Sequence, residues 1–392
     1  MKNQLAVVRN LTNQVLSQVE ALMYDALPDF DVTFIINAME KDFISRVRLL
    51  ENSRHVNIST ATRFPSAMSP IFLRVHHALS RIVPVPPVHQ LNSREVKNNI
   101  ELMHVVNSNE VNSLDSYQCA RLCSRLGIPL VVTVWDTRQR ANLNYIPPYS
   151  WNGKSVMKYA HFLVHTKKAK HYLLNLGVSD ERITLVYPGI DTRRFSSINK
   201  KNGNIKILFV GRFAEEKGLS FLIKAYMLLY KERHNTELWI KPSTAKDLNT
   251  ELYWSLRKLS KKFPIKVLDL VDRFQLPKIY RDCDIFCVPS NDNVRWGVLK
   301  IWDEQFGFVF VEAMSCGLPI VSTDCGAIPE VIGKENLIVK QKDVKSLYLA
   351  LKKLVDDEQL RKRLSEHNRR RVEKHFNIEI QREKLNKFYL QF

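Results

Sequence analysis

Two carboxylates organise the chemistry that this chain could do. Glu304 and Glu312, with seven residues between them, fall in the stretch 303–332, which reads turn, helix, short strand, turn, helix. Gly307 falls in the first turn, and 308–315 suits a helix. Gly317 and Pro319 close that helix, because glycine takes the left-handed cap and proline cannot continue the turn. Residues 318–322 read as a short apolar strand, and Gly326 and Pro329 mark the next turn and helix start. Glu304 then precedes a helix and Glu312 lies inside it among apolar neighbours. A carboxylate in such a setting is costly unless it is paired or holds a ligand. Read alone, the stretch equally suits a plain helix with a capping acid and one partly exposed glutamate.

Cations supply the second group. An apolar strand over 205–210 runs through Gly211 to Arg212, then through Glu215, Glu216, Lys217 and Gly218 into a helix over 219–230. Backbone N–H groups at a helix start, with Arg212 and Lys217 beside them, suit a phosphate or diphosphate. A solvated loop of charges would have the same composition. In the first half, the β-branched run 130–134 ends at Trp135 and Asp136. Residues just past the carboxyl end of a parallel strand face the ligand crevice, so these two are site candidates. The plain alternative is a core tryptophan and a capping aspartate. The six cysteines, at 119, 123, 283, 287, 316 and 325, have no zinc spacing and are expected to be buried free thiols.

The elements that must position these groups alternate strand and helix in both halves. That pattern predicts an α/β chain of two doubly wound domains facing each other. At 392 residues the chain is long for one such core. The polar run 196–204 is the clearest linker, giving a first domain over 1–195, a second over 205–370, and a basic closing helix over 371–392. Helices are also expected over 13–27, 70–82 and 155–161. A long aromatic loop is expected over 138–153, and an unusual insertion with Arg295, Trp296 and Lys300 over 290–300.

Composition bounds the function. The chain is 45% hydrophobic and 25% charged, as in soluble globular proteins. No run of eighteen uncharged apolar residues is present, and residue 1 onwards lacks the apolar core of a signal peptide, so a cytoplasmic location is expected. The net charge of +19 favours an anionic partner: a phosphorylated substrate, an anionic membrane surface or nucleic acid.

Four segments of the second half carry a resemblance. They are Val210-Gly211-Arg212-Phe213 with Glu216-Lys217-Gly218; D-I-F-C-V-P-S over 284–290; Glu304-Gln305-Phe306-Gly307 through Glu312-Ala313-Met314; and Gly317-Leu318-Pro319-Ile320-Val321 through Gly326 and Pro329-Glu330-Val331. Pro188-Gly189-Ile190-Asp191 with Phe195, and Gly127-Ile128-Pro129 leading to Trp135-Asp136, extend it into the first half. Together, in this order, they resemble glycosyltransferase family 4, the retaining enzymes of the GT-B fold. That fold has two Rossmann-like domains across a cleft, with a C-terminal helix packing back towards the first domain.

The resemblance implies a transfer of a hexose-type sugar from a nucleotide-sugar, UDP- or GDP-linked, to a hydroxyl of a glycan, lipid-linked or protein-linked acceptor. Arg212 and Lys217 would hold the diphosphate and the charge that develops on it. Glu312 would bind the ribose hydroxyls and Glu304 the donor sugar near its anomeric carbon. Gly211 and the backbone of Phe306, Gly307 and Phe308 would line the pocket, and Asp136 would contact the substrate. No metal and no further cofactor are implied, and no Asp-x-Asp pair stands in a suitable loop. Peripheral contact with an anionic membrane face would use the basic charge.

Departures are visible too. The first βα loop is Arg9-Asn10-Leu11-Thr12, and the first glycine of the chain is Gly127. Trp135 stands where many members have a histidine. Lys241-Pro242-Ser243 replaces a glycine-rich turn, and Lys241 could supply a compensating cation. The competing readings are a basic nucleic-acid-associated protein, supported only by charge and scattered aromatics, and an inactive scaffold of the same fold. Retention of Arg212, Lys217, Glu304 and Glu312 argues against the second.

Overall fold

The computed structural model describes residues 2–9, 23–24, 27–36, 56–60, 62–63, 89–90, 100–106, 111, 114–135, 149–196, 203–271, 275–295 and 299–392. Asp136 and Trp296, the helix expected at 70–82, most of that at 13–27, and the loop segment 136–148 lie outside them.

By its contacts the chain divides into two units, one of Met1–Gly189 with Ile378–Phe392 and one of Ile190–Asn377. Each is built on a parallel sheet. The first unit has β1 (Asn3–Arg9), β2 (Phe30–Ile36), β3 (Val56–Thr60), β4 (Leu102–Val106), β5 (Leu130–Val134), β6 (His161–Val164) and β7 (Ile183–Leu185). Their order is β3-β2-β1-β4-β5-β6-β7, parallel throughout. Every residue of β4 and β5 is buried, which is why their sequences are apolar runs rather than alternations. Helices α1 (Leu114–Leu126), α2 (Tyr149–Tyr159) and α3 (Lys167–Asn175) connect the later strands. Helix α2 starts six residues before the expected 155, directly after Pro148, so Tyr149 and Trp151 form its first turn rather than a loop.

The second unit has β8 (Ile205–Gly211), α4 (Leu219–Glu232), β9 (Thr236–Pro242), α5 (Glu251–Leu259), β10 (Ile265–Val267), α6 (Leu276–Arg281) and β11 (Ile285–Cys287). An antiparallel hairpin, β12 (Asn293–Arg295) and β13 (Leu299–Trp302), follows; it begins within the expected insertion and runs two residues past it. Then come α7 (Phe308–Ser315), β14 (Ile320–Thr323), α8 (Ile328–Ile332), β15 (Leu337–Val339), α9 (Val344–Asp356) and α10 (Glu358–His375). The sheet order is β10-β9-β8-β11-β14-β15, again parallel. Both sheets therefore follow the Rossmann order, in which strand sequence reverses beside the first strand.

Residues 190–196 belong to the second unit although the sequence places the boundary at 196–204. Backbone pairing explains this. Ile190 N donates to Phe376 O at 2.7 Å, and Ile190 bridges Asn377. Arg369 Nη1 donates to the carbonyls of Thr192 and Phe195, and Arg281 donates to those of Arg194 and Ser196. The same bridge draws Phe376 and Asn377 out of helical geometry, so the helix expected over 371–392 is split. Its first residues end α10, and α11 (Ile378–Tyr389) follows as a separate helix.

Helix α11 packs on the first sheet, as expected of the closing helix. Leu385, Phe388 and Tyr389 share one core with Leu5, Val7, Phe30, Val32 and Leu102. Asn386 Nδ2 donates to Asp29 Oδ2 at 2.7 Å. All six cysteines are buried and free.

Candidate active site

The second sheet reverses its order between β8 and β11, and the loops leaving their carboxyl ends converge there. Gly218 is the reason they can. It has φ +70°, and a Cβ on it would lie 1.9 Å from Pro289 O, so any side chain would push the two loops apart. Asn291 N donates to Glu216 O at 2.8 Å and fastens the same junction.

Across that junction Lys217 meets Glu304, with Nζ 2.6 Å from Oε2. Their side chains are 14% and 9% exposed, which places the pair in a largely desolvated setting. Ser290 Oγ donates to the same Oε2 at 3.1 Å. The Trp302 ring centroid lies 4.8 Å from Lys217 Nζ. Glu304 is held by its backbone: its carbonyl accepts from Ala327 N at 2.7 Å, and Gly326, at φ +58°, lets the next turn pass within contact of it. Gly307 caps α7 at φ +79°. Phe306 is buried, its ring 5.2 Å from Phe308 and 5.8 Å from Phe376, so its side chain packs in the core.

Glu312 belongs to a second, deeper cluster. It is 3% exposed and accepts from Tyr280 Oη at 2.8 Å. Lys241, at the carboxyl end of β9, is equally enclosed. Burial lowers its pKa, and the nearby Glu312 and Asp247 carboxylates oppose that shift. Asp247 closes a capping box with Thr244, and its Oδ1 accepts from Phe213 N at 2.9 Å. It thereby ties the loop after β8 to the loop after β9.

The sequence candidates thus fall into groups. Lys217 and Glu304 touch. Glu312 and Lys241 interact electrostatically in the deeper cluster. Arg212, half exposed, is turned towards Glu216, with Nη2 3.0 Å from Oε1. Gly211 ends β8. Asp136 lies outside the described residues. Sequence reasoning missed Ser290, Tyr280, Asp247 and Trp302. Asp247 carried a readable signal, the T-x-x-D spacing of a capping box. Trp302 carried none, because its place depends on the hairpin register.

In the first unit Trp135 is buried with its ring 4.0 Å from that of His165. Nδ1 of His165 lies 2.6 Å from Val186 O, and burial lowers the imidazole pKa to about 4. Both rings, with Val106 and Leu163, line a small cavity at the carboxyl end of the first sheet. Among the described residues no group of three or more His, Cys, Asp or Glu side chains is placed to hold a metal ion. Among them too, no helix is long and apolar enough to cross a membrane.

Comparison with known proteins agrees with this anatomy. Residues 191–371 match the family described as glycosyl transferases group 1, and residues 54–194 match Glycosyltransferase Family 4. The chain is 27% identical over 246 residues to the capsular polysaccharide biosynthesis glycosyltransferase CapM of Staphylococcus aureus, covering 58% of this chain and 60% of that protein. It is 25% identical over 268 residues to an MMP alpha-(1->4)-mannosyltransferase of Mycolicibacterium hassiacum, covering 64% and 62%. The chain spans about half the length of the curated relatives it matches, between 40% and 62% for the first four. In structure it is similar to HepE of Anabaena, crystallised in complex with UDP. That likeness has a TM-score of 0.73 and 15% identity and covers 100% of both chains, so it bears on the fold. The class follows: two Rossmann-like α/β domains of the GT-B fold. Within that class, residues 191–371 are similar to the group 1 glycosyl transferases and residues 54–194 to family 4.

Proposed function

We propose that the protein is a retaining, metal-independent glycosyltransferase that moves a hexose-type sugar from a nucleotide-sugar to an acceptor hydroxyl. The observation that carries this reading is the contact of Glu304 with both Lys217 and Ser290 at the switch point of the second sheet. A cation and a carboxylate held side by side suit a ligand with a diphosphate next to a polyol. Lys217 and Arg212 take the diphosphate, and Arg212 leaves Glu216 to do so. Glu304 takes hydroxyls of the donor sugar. Glu312 takes the ribose, with Lys241 adding positive charge nearby. Gly211 and the backbone of residues 306–308 line the pocket, and Asp136 contacts the substrate. The names of the relatives support sugar transfer, and the UDP bound to HepE supports a UDP-linked donor, with GDP the alternative.

The chemistry follows from those roles. The acceptor oxygen bonds to the anomeric carbon as the bond from that carbon to the phosphate oxygen breaks. The electron pair stays on the departing diphosphate, where the cations stabilise it. The acceptor proton passes to a phosphate oxygen, and entry on the face that the leaving group vacates retains the anomeric configuration. The acceptor is a glycan, lipid-linked or protein-linked hydroxyl. The +19 net charge suits peripheral contact with an anionic membrane at its cytoplasmic face.

Calorimetric titration with UDP-, GDP-, ADP- and dTDP-sugars tests the reading, with Arg212→Ala as control. Binding of one nucleotide family, weakened in the control, is expected. Absence of binding to all four, with tight binding to DNA or RNA, would overturn it. The anomeric configuration of the product, read by NMR, tests retention.

A further inference from the structure

The hairpin β12–β13 has no part in the roles assigned above, yet it delivers an aromatic ring to the central cation. Lys217 has a flexible four-carbon stem and a compact charge, and such a group needs restraint to meet a ligand in one geometry. Glu304 restrains it on one side. On another stands Trp302, its centroid 4.8 Å from Nζ and within the range over which a ring face attracts an ammonium.

The register of the hairpin produces this contact. Arg295 pairs with Leu299 and Val294 with Lys300, but Asn293 pairs with Trp302. Ile301 is thus an extra residue, and the bulge re-aims the residue after it. The base of the hairpin is fastened on both sides. Lys300 Nζ lies 2.5 Å from Asp292 Oδ2. Asp292 in turn donates its N–H to Gln341 Oε1 at 2.7 Å and accepts from Cys325 Sγ at 3.2 Å. Two residues after Trp302, the Glu304 backbone is seated on Ala327. Trp302 is only partly buried, so core packing does not account for its place.

Charge explains why a ring is suited to this position. A second carboxylate there would neutralise Lys217 and repel a diphosphate. An indole face attracts the ammonium without adding a negative charge. We infer that Trp302 is a positioning residue that holds the Lys217 ammonium ready for the donor diphosphate. The inference rests on the proposed function, since it needs that diphosphate as the ligand.

The experiment titrates the protein with UDP and GDP by calorimetry, comparing wild type with Trp302→Leu, Trp302→Phe, Lys217→Met and the double variant Lys217→Met/Trp302→Leu. Leucine keeps apolar bulk and removes the ring; phenylalanine keeps a ring. Trp302→Leu should weaken binding by about 3- to 10-fold, and Trp302→Phe should stay near wild type. On the Lys217→Met background the leucine change should add nothing, because its effect runs through the ammonium. Lys300→Met, which unpins the hairpin base and leaves the ring intact, should weaken binding in the same direction and serves should Trp302→Leu fail to fold. Wild-type affinity in Trp302→Leu and Lys300→Met, or a Trp302→Leu loss that persists without Lys217, would overturn the inference. Failure of the wild type to bind either nucleotide would instead overturn the proposed function, and this inference with it.

Discussion

Lys217 and Glu304 stand 87 positions apart in sequence, yet Nζ and Oε2 are 2.6 Å apart. Neither residue has a packing reason to be there. Two charges taken largely out of water lose hydration that their attraction recovers only in good geometry, and an apolar pair of similar volume would serve stability at least as well. The pair is therefore better explained by a ligand than by the fold.

Substituting each partner separates their roles. Glu304→Gln keeps the volume and an accepting oxygen but removes the charge; it should lower sugar transfer by about 100-fold. Nucleotide affinity should stay within about threefold, because the lost contact is to the sugar. Lys217→Met should do the reverse in part, weakening nucleotide binding by about 10-fold through loss of a charge-assisted contact. Steady-state rates with calorimetry check both. An unchanged transfer rate in Glu304→Gln would remove that residue from the mechanism.

Gly326 offers a test that involves no charge. Its φ is +58°, and an added Cβ would lie 2.0 Å from Glu304 O. Gly326→Ala must therefore either move the Glu304 backbone or strain the turn. We expect a loss of about 2 kcal/mol or more in denaturant unfolding. Activity should fall as well, since the turn that seats Glu304 is displaced. Full stability in this variant would show that the turn relaxes freely.

The sequence made the parallel sheets and the βα alternation readable because buried strands leave nearly continuous apolar runs, as in 130–134 and 207–210. Helix α7 was bounded correctly by Gly307 and Gly317, which act locally. Glu304 and Lys217 were legible as candidates but not as partners, since their contact depends on two loops meeting through Gly218. The contacts divide the units at Gly189 rather than within 196–204, because residues 190–196 are held by Arg281, Arg369 and Phe376, all distant in sequence. Trp302 was invisible for a similar reason: a one-residue bulge decides where it points.

Asp247 carries a prediction that the capping spacing alone would understate. Its two oxygens accept from the backbone N–H groups of Phe213, Ser243 and Thr244. Asp247→Ala leaves those donors without it in a buried place, at a cost of about 2–4 kcal/mol in unfolding free energy. Because Phe213 follows Arg212, nucleotide affinity should fall along with stability. Asp247→Asn, which keeps one accepting oxygen, should recover part of both. Equal damage from Asn and Ala would mean that the negative charge, not the hydrogen bonds, is what the loop needs.

The first unit has its own acid sensitivity. His104 is fully buried, with Nδ1 2.5 Å from Tyr389 Oη and Nε2 2.6 Å from Thr133 Oγ1. Burial first, and the neighbouring His165 second, lower its pKa to about 3, while burial takes His165 to about 4. Both rings are neutral in the folded chain, whereas the unfolded chain protonates histidine near its ordinary value of about 6.5. Their contribution to stability is thus complete above about 6.5 and is lost as the pH falls towards 4 and then 3. Between about 6.5 and 4 each histidine should tilt the unfolding free energy by about 1.4 kcal/mol per pH unit. Denaturant titrations at pH 7, 6 and 5 measure the slope, and His104→Gln should remove roughly half of the histidine part. The imidazole resonance of His104 should not titrate above pH 5. A titration midpoint near 6.5 would show that water reaches the ring and that Tyr389 does not seal α11 over it.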